Sequence, residues 1–391
     1  MTSVCPKPGQ TLVLFLLMSK KAKIAILGDF PIGNICDEYQ ARTSFYPTWL
    51  FMLYKAFIRS DEFDIHWIIV DTNCKKSTQL TVENQTFHVL PGSKLMVGLY
   101  TGYLYNRWQI SRCVKRIKPD IFHAWGTERF YGLAAKDFKG KSILSVQGLL
   151  SVCCKRAKMS PFENKHRLYE KGVLRSVDFI TTESPWARDR VLEIAPKANI
   201  TLCEYAIEPA FFSLERQLSD EPSCLISCSN APIKNIPLAI SAFSEPALSH
   251  VKLYMAGASP ERYPDLPPNI IPLGRLCRES LIEHLSKCWC VVHPSLADTG
   301  PTAVKEARAA GVPVILTTEC GAKQYVKHGE SGYIIASNNK QELIEAVLAV
   351  TKSKENAQKM GAIEVERCRA ALSCDNMYAS FRELYNNVLL S

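Results

Sequence analysis

Short apolar segments alternate with helix-like ones along this chain, and the series runs twice. Lys23–Gly28, Phe63–Val70, Phe87–Leu90, Asp120–His123, Ser142–Gln147, Val177–Thr182 and Ile200–Glu204 read as strands, with helices expected from about Pro47 to Arg59 and over 100–117. A new series begins at Ser223–Ser227 and continues through Lys252–Ala256, Ile270–Leu273, Cys290–His293, Pro313–Thr317 and Gly332–Ile335, with helices at Ile236–Ala242, Leu281–Lys287 and Thr302–Ala310. Apolar strands alternating with helices indicate βαβ units on a parallel sheet. Two such series predict an α/β chain of two tandem Rossmann-like, doubly wound domains. Ligands of these sheets bind outside the carboxyl ends of the strands, here in a cleft between the domains.

The expected divisions are an extension at 1–20, an N-terminal domain over 21–205 and a Pro-containing connection over 206–222. A C-terminal domain over 223–374 and a closing helix over 375–391 follow. In that helix Met377, Phe381, Leu384, Tyr385 and Val388 form one apolar stripe. A length of 391 residues fits this count, and 47% hydrophobic content excludes intrinsic disorder. The formal charge is +9, and it is unevenly placed. Residues 1–210 carry 29 basic and 19 acidic side chains (net +10), whereas 211–391 carry 18 and 19 (net −1). Either solubility or an anionic partner of the first half accounts for this. The run Thr11–Met18 is too short to span a bilayer and lacks the flanks of a signal peptide. Fifteen cysteines, most inside apolar runs, fit a reducing, cytoplasmic setting in which they act as small hydrophobes. Cys153-Cys154 and Cys288-x-Cys290 lack zinc spacing, so no metal site is expected.

Two segments carry chemistry. Gly28-Asp-Phe-Pro-Ile-Gly33-Asn34 follows the first strand. It lacks the Lys-Ser/Thr of a phosphate loop and the Gly-x-Gly-x-x-Gly of a dinucleotide site, yet its backbone amides can face an anion. The same glycines serve an ordinary turn equally well. Ser295-Leu-Ala-Asp298-Thr299-Gly300-Pro301-Thr302 then leads into a helix that carries Glu306. Asp298 and Glu306 can both face the cleft, Glu306 as an acceptor for vicinal hydroxyls, while amides near Thr299–Thr302 can take phosphate oxygens.

The acidic residue at 298 with Glu306 eight positions on, flanked by Pro294-Ser295 and by Ala-x-x-x-Gly-x-Pro-Val-Ile, resembles the E-x7-E signature of retaining GT-B glycosyltransferases of family 4 (glycosyl transferases group 1). Five further segments match in register. These are Lys23–Gly33, Asp120–Glu128 with His123, Ser145-Val-Gln147-Gly148, Glu204–Phe212, and Lys234-Asn235. The resemblance covers residues from about 22 to 390. It implies transfer of a sugar from a nucleotide-diphosphate sugar to a lipid-linked, polysaccharide or other glycan acceptor, with anomeric configuration retained. The C-terminal domain would hold the donor and the N-terminal domain the acceptor. Glu306 would bind the ribose hydroxyls, Asp298 would contact the donor sugar, Lys234 would neutralise the diphosphate, and His123 would lie near the reacting centre. Gly33, Ser229, Asn230, Gly257, Arg275, Thr299, Gly300, Pro301 and Thr302 would complete the donor site. The nucleotide sugar is then a co-substrate, with no cofactor. The chain contains no Asp-x-Asp, which favours a metal-independent reaction.

The sequence departs from the family pattern at three places. Asp298 replaces the usual first Glu, Ser229 stands where many members carry Arg, and the linker motif is degenerate. Arg275 is a candidate substitute for the missing cation. A catalytically weak GT-B protein that binds a nucleotide sugar or glycan, and a GT-B sugar-nucleotide epimerase, are the alternatives. Lys155–Arg175 holds seven basic and two acidic residues. It reads as a contact for an anionic membrane surface or as a solvated helix face. No motif supports nucleic-acid binding.

Overall fold

The structure is a computed structural model and describes residues 21–36 and 48–391. The extension at 1–20, its apolar run and the expected helix start at Pro47 lie outside the described residues. The first sheet has eight strands: β1 (Ala22–Leu27), β2 (Phe63–Asp71), β3 (Thr78–Val82), β4 (Gln85–Pro91), β5 (Ile121–Trp125), β6 (Lys141–Ser145), β7 (Phe179–Thr182) and β8 (Ile200–Leu202). They lie in the order β3-β4-β2-β1-β5-β6-β7-β8, all parallel except the β3–β4 pair. The second sheet, β11-β10-β9-β12-β13-β14, is all parallel. Its strands are β9 (Ser223–Ser227), β10 (Lys252–Ala256), β11 (Ile270–Gly274), β12 (Cys290–His293), β13 (Val314–Thr317) and β14 (Gly332–Ile335).

Both sheets are covered on both faces, which is why their strands read as apolar runs. Successive side chains of β1 enter opposite layers: Ile24 and Ile26 pack with Phe30 and Trp67, Ala25 and Leu27 with Phe122 and Leu144. In β9, Cys224 and Ile226 enter one layer and Leu225 the other. The strand order reverses between β1 and β5 and again between β9 and β12. These are the topological switch points at which a doubly wound sheet leaves a crevice.

Three local expectations change. The helix over 100–117 is two helices, Leu95–Tyr100 and Leu104–Ile117. Gly102 and Tyr103 between them have left-handed backbones (φ +60 and +59), and Tyr103 folds back against Gly98, where a Cβ would meet its ring at 2.4 Å. The strand at 120–123 continues to Trp125, because Ala124 pairs with Leu27 and Trp125 with Ser145. His123 is therefore mid-strand. The strand β3 has no counterpart in the sequence reading; it is a largely exposed antiparallel edge with polar alternation.

The chain passes between the domains twice, at adjacent places. Ile207 N–H donates to the carbonyl of Leu372 at 3.1 Å, so the outgoing and returning segments are bonded. The connection packs on the C-terminal domain from its start: Ile207 and Phe211 lie in that domain's core with Leu225 and Val291, Gln217 N–H donates to Ser286 O, and Leu218 joins the layer on the other face of the sheet. The closing helix Cys374–Leu390 packs on the N-terminal domain, its Tyr385 ring 5.5 Å from Phe63 and 5.8 Å from Phe57.

Candidate active site

The loops after β9 and β12 meet at the second switch point. Lys234 ends a short turn, Pro232–Lys234, and Leu296 N–H donates to Ile233 O at 2.8 Å. That bond brings the Lys234 ammonium to Asp298, Nζ to Oδ2 at 2.5 Å. The Asp298 backbone is fixed by Glu319 O (3.1 Å) and by Gly321 N–H (2.8 Å) from the neighbouring loop. His293, at the end of β12, places Nε2 at 3.0 Å from the same carboxylate oxygen and 2.9 Å from Ser295 Oγ. A carboxylate only accepts, so the His293 proton sits on Nε2 toward it. Burial alone would raise the Asp298 carboxyl, but Lys234 and His293 outweigh it and hold the group well below the usual carboxylate range. Burial works against the Lys234 charge, and the Asp298 carboxylate restores it.

A second cation faces the same space from the helix Thr302–Ala309. Lys305 Nζ lies 2.5 Å from Glu183 Oε2 and 2.5 Å from Glu204 Oε1, with the Tyr205 ring 5.4 Å away. Glu183 follows β7 of the N-terminal domain, so the pair crosses between domains. Thr299 Oγ1 donates to Gln147 O at 2.6 Å, and Ser184 Oγ donates to Thr299 O at 2.6 Å. Gly300 fits only because it lacks a side chain: a Cβ there would lie 2.3 Å from the Glu183 carboxyl carbon. Burial pushes Glu183 up to about 7, against the pull of Lys305 and aided by Glu204.

Between these groups is a cavity of about 380 Å³, within the usual span of small-molecule sites. Of the residues expected at the site, Ser229, Lys234, Asp298, Thr299, Gly300, Pro301 and Thr302 line it. Glu306 does not. The helix turns about 100° per residue, so Lys305 takes the cavity side and Glu306 the next face. There Glu306 Oε1 accepts from Arg278 at 2.8 Å, and Arg278 also holds Glu208 at 2.9 Å. Burial pushes Glu306 up to about 7 against the pull of Arg278.

The remaining expected residues lie off the cavity wall. His123 is fully buried, with Nδ1 at 2.9 Å from Tyr385 Oη and Nε2 at 2.8 Å from Ser145 Oγ. Burial pushes it down to about 3, which keeps it neutral. Gly33 is buried in the turn Ile32–Asn34. Asn230 accepts from Tyr263 Oη at 3.3 Å. Gly257 (φ +88) lets the loop after β10 reach the loop after β9; a Cβ would stand 2.1 Å from Cys228 O. Arg275 is exposed.

Residues 215–365 match the family described as glycosyl transferases group 1. The chain carries a group 1 glycosyltransferase domain. Comparison of the sequence with curated proteins gives no match. The fold matches sucrose-phosphate synthase of Thermosynechococcus elongatus with a TM-score of 0.77 at 15% identity, covering 95% of this chain and 100% of that one. It also matches trehalose-6-phosphate synthase OtsA, with a TM-score of 0.69 at 10% identity over 93% of this chain and 99% of that one. Anabaena HepE, in complex with UDP-glucose, matches with a TM-score of 0.65 at 11% identity over 93% and 99%. The architecture is therefore GT-B, and the protein is a glycosyltransferase.

Four side chains of this glycosyltransferase escaped the sequence reading. Lys305 and Glu183 carry no motif, and their pairing spans the domains. The only signal was a lysine beside Glu306 in the helix Thr302–Ala309. Arg278, which opens the next helix and holds Glu306, had no place in that reading, where Arg275 after Gly274 is the candidate diphosphate cation. His293 was read as a strand end and not as a partner of Asp298.

Proposed function

We propose that the enzyme moves a sugar from a nucleotide-diphosphate sugar to a lipid-linked, polysaccharide or other glycan acceptor, with retention and without a metal ion. The observation that carries this is the Lys234 ammonium, fixed on Asp298 at the strand ends of the C-terminal sheet and facing a cavity shared by both domains. In such a transfer the bond from the anomeric carbon to the diphosphate oxygen breaks, and its electron pair leaves with the diphosphate. The acceptor hydroxyl oxygen bonds to that carbon on the same face, and its proton passes to the leaving phosphate oxygen. A preorganised cation where negative charge develops is usually a large term. Lys234 supplies it, held by Asp298, which is itself oriented by His293. The amides at the start of the helix Thr302–Ala309 add a second stabilising field. That Anabaena HepE is seen with UDP-glucose and with UDP and glucose supports a nucleotide-sugar donor.

The partner surface we propose is an anionic membrane at the inner face of a reducing, cytoplasmic compartment, reached through the basic stretch 155–175. Among the described residues no helix is long and apolar enough to cross a membrane. The structure sharpens the charge of that stretch. Glu170 turns inward, accepting from Thr127 Oγ1 and from the amides of Leu150 and Ser151, while Arg156 bridges to Glu319 in the C-terminal domain. Lys155, Lys158, Arg167, Lys171 and Arg175 stay exposed.

A second reading, binding of a nucleotide sugar without turnover, is favoured by one observation: with Ser229 at its position, the lysines among the described residues of the cavity wall, Lys234 and Lys305, are both already paired to carboxylates. A panel of UDP-, GDP- and ADP-sugars decides between them. Release of free nucleotide in the presence of acceptor supports transfer; saturable binding with no release across the panel sinks it.

A further inference from the structure

A cavity of about 680 Å³, larger than that of the cleft, lies on the N-terminal domain and shares no residue with it. It opens between the helices Leu104–Ile117 and Tyr131–Asp137. Ile110, Val114, Phe122 and Phe138 make its floor, and Lys115, Lys118 and Lys139 its rim. The one acid among the described residues that line it, Asp137, is consumed by Arg107, which donates to both its oxygens at 2.6 and 2.7 Å. The rim is therefore cationic and the interior apolar.

We propose that this groove is a lipid site that takes one acyl chain of an anionic bilayer phospholipid, with the headgroup on Lys115, Lys118 and Lys139. The proposal rests on the membrane surface inferred above and extends it to residues outside the 155–175 stretch. Leu104 and Trp108 stand at the mouth of the groove and are also among the most exposed apolar side chains, at 64% and 51%. They continue a stripe from the helix Leu95–Tyr100, where Met96, Val97 and Tyr100 are more than half exposed. Apolar surface of this extent on a water-soluble face marks an interaction site. Its composition is that of a bilayer interface: aromatic side chains beside long basic ones that keep their charge at the headgroup level. The Arg112 guanidinium lies 4.7 Å from the Trp108 ring centre, and the Lys165 ammonium 4.0 Å from that of Tyr100. Lys165 belongs to the basic helix Pro161–Leu174, so the stripe and the basic stretch form one face. Charge decides the occupant. A second copy of this basic half would meet the rim with like charge, whereas an anionic phospholipid supplies both the counter-charge and the chain.

The test uses the full chain with phosphatidylcholine vesicles, with and without phosphatidylglycerol, in normal and chain-brominated forms. The expected result is sedimentation that depends on phosphatidylglycerol and tryptophan quenching by brominated chains that is lost in Trp108→Phe. Trp108→Glu and the pair Lys115→Glu, Lys118→Glu should weaken partition by roughly tenfold, with an unchanged thermal midpoint. Vesicle binding without Trp108 quenching, and indifferent to these substitutions, overturns the groove and leaves the basic stretch as the membrane contact. Absence of binding to any vesicle overturns both. A concentration-dependent dimer abolished by Trp108→Glu, with no lipid dependence, assigns the face to a second copy instead.

Discussion

Lys305 of the C-terminal domain and Glu183 of the N-terminal domain form an ion pair at 2.5 Å, with side chains only 2% and 5% exposed. The pair ties the two domains directly and lies on the wall of the cavity. Removing one member of a buried pair leaves an uncompensated charge, at a cost of about 3–5 kcal/mol. Lys305→Met, which strands both Glu183 and Glu204, should lose stability in that range by urea denaturation. Glu183→Gln should lose clearly less, because Glu204 still holds the ammonium.

The same carboxylate gives a pH dependence of known sign. Burial raises both Glu183 and Glu306 from an ordinary 4.5 to about 7. The folded protein therefore binds more protons than the unfolded chain between those values. The stability this contributes is present below about 4.5 and is lost as pH rises through about 7. Asp298 acts oppositely, but its loss begins only below its ordinary 3.8, outside this window. His88, His123 and His166, which burial holds neutral in the fold, act oppositely over the same range, so the carboxyl contribution is read as a difference: relative to the native enzyme, the double variant Glu183→Gln, Glu306→Gln should gain thermal midpoint on going from about pH 6 to about pH 8. An unchanged slope in that variant would assign the dependence elsewhere.

Gly257 holds the loops after β9 and β10 together. At φ +88 with Cys228 O in the way, an alanine must both strain the backbone and push a carbonyl aside. Gly257→Ala should cost about 1–3 kcal/mol and reduce nucleotide affinity, as read by calorimetric titration.

Tyr385 bonds the closing helix to His123 in β5. Tyr385→Phe leaves a buried ring nitrogen unpartnered and should lower stability by about 1–3 kcal/mol in a chemical melt. Since His123 is held neutral near 3, the pH profile of turnover should show no limb from it.

Strands buried on both faces announce themselves as apolar runs, which is why β1, β9, β10 and β12 were legible from the sequence. The edge strand β3 was not, since its face toward water reads as loop. The break at Gly102–Tyr103 depends on Tyr103 finding Gly98 and His166, a tertiary choice that helical periodicity does not record. At the site, the spacing of Asp298 and Glu306 marked a segment of which Asp298 lines the cavity and Glu306 does not. It did not say which side of the helix meets the cavity, and the structure turns Lys305 toward it. The partners Glu183 and Arg278 are far away in sequence, so only the fold brings them in.

The central claim is that Lys234, fixed on Asp298, stabilises the departing diphosphate. The direct measurement is the rate of nucleoside diphosphate release from the donor sugar, in the presence of acceptor, for the native enzyme and Lys234→Met. The account predicts a fall of about 10²–10³-fold, read well below the thermal midpoint, since the stranded Asp298 carboxylate also lowers stability. A release rate unchanged in the Lys234→Met enzyme would contradict it.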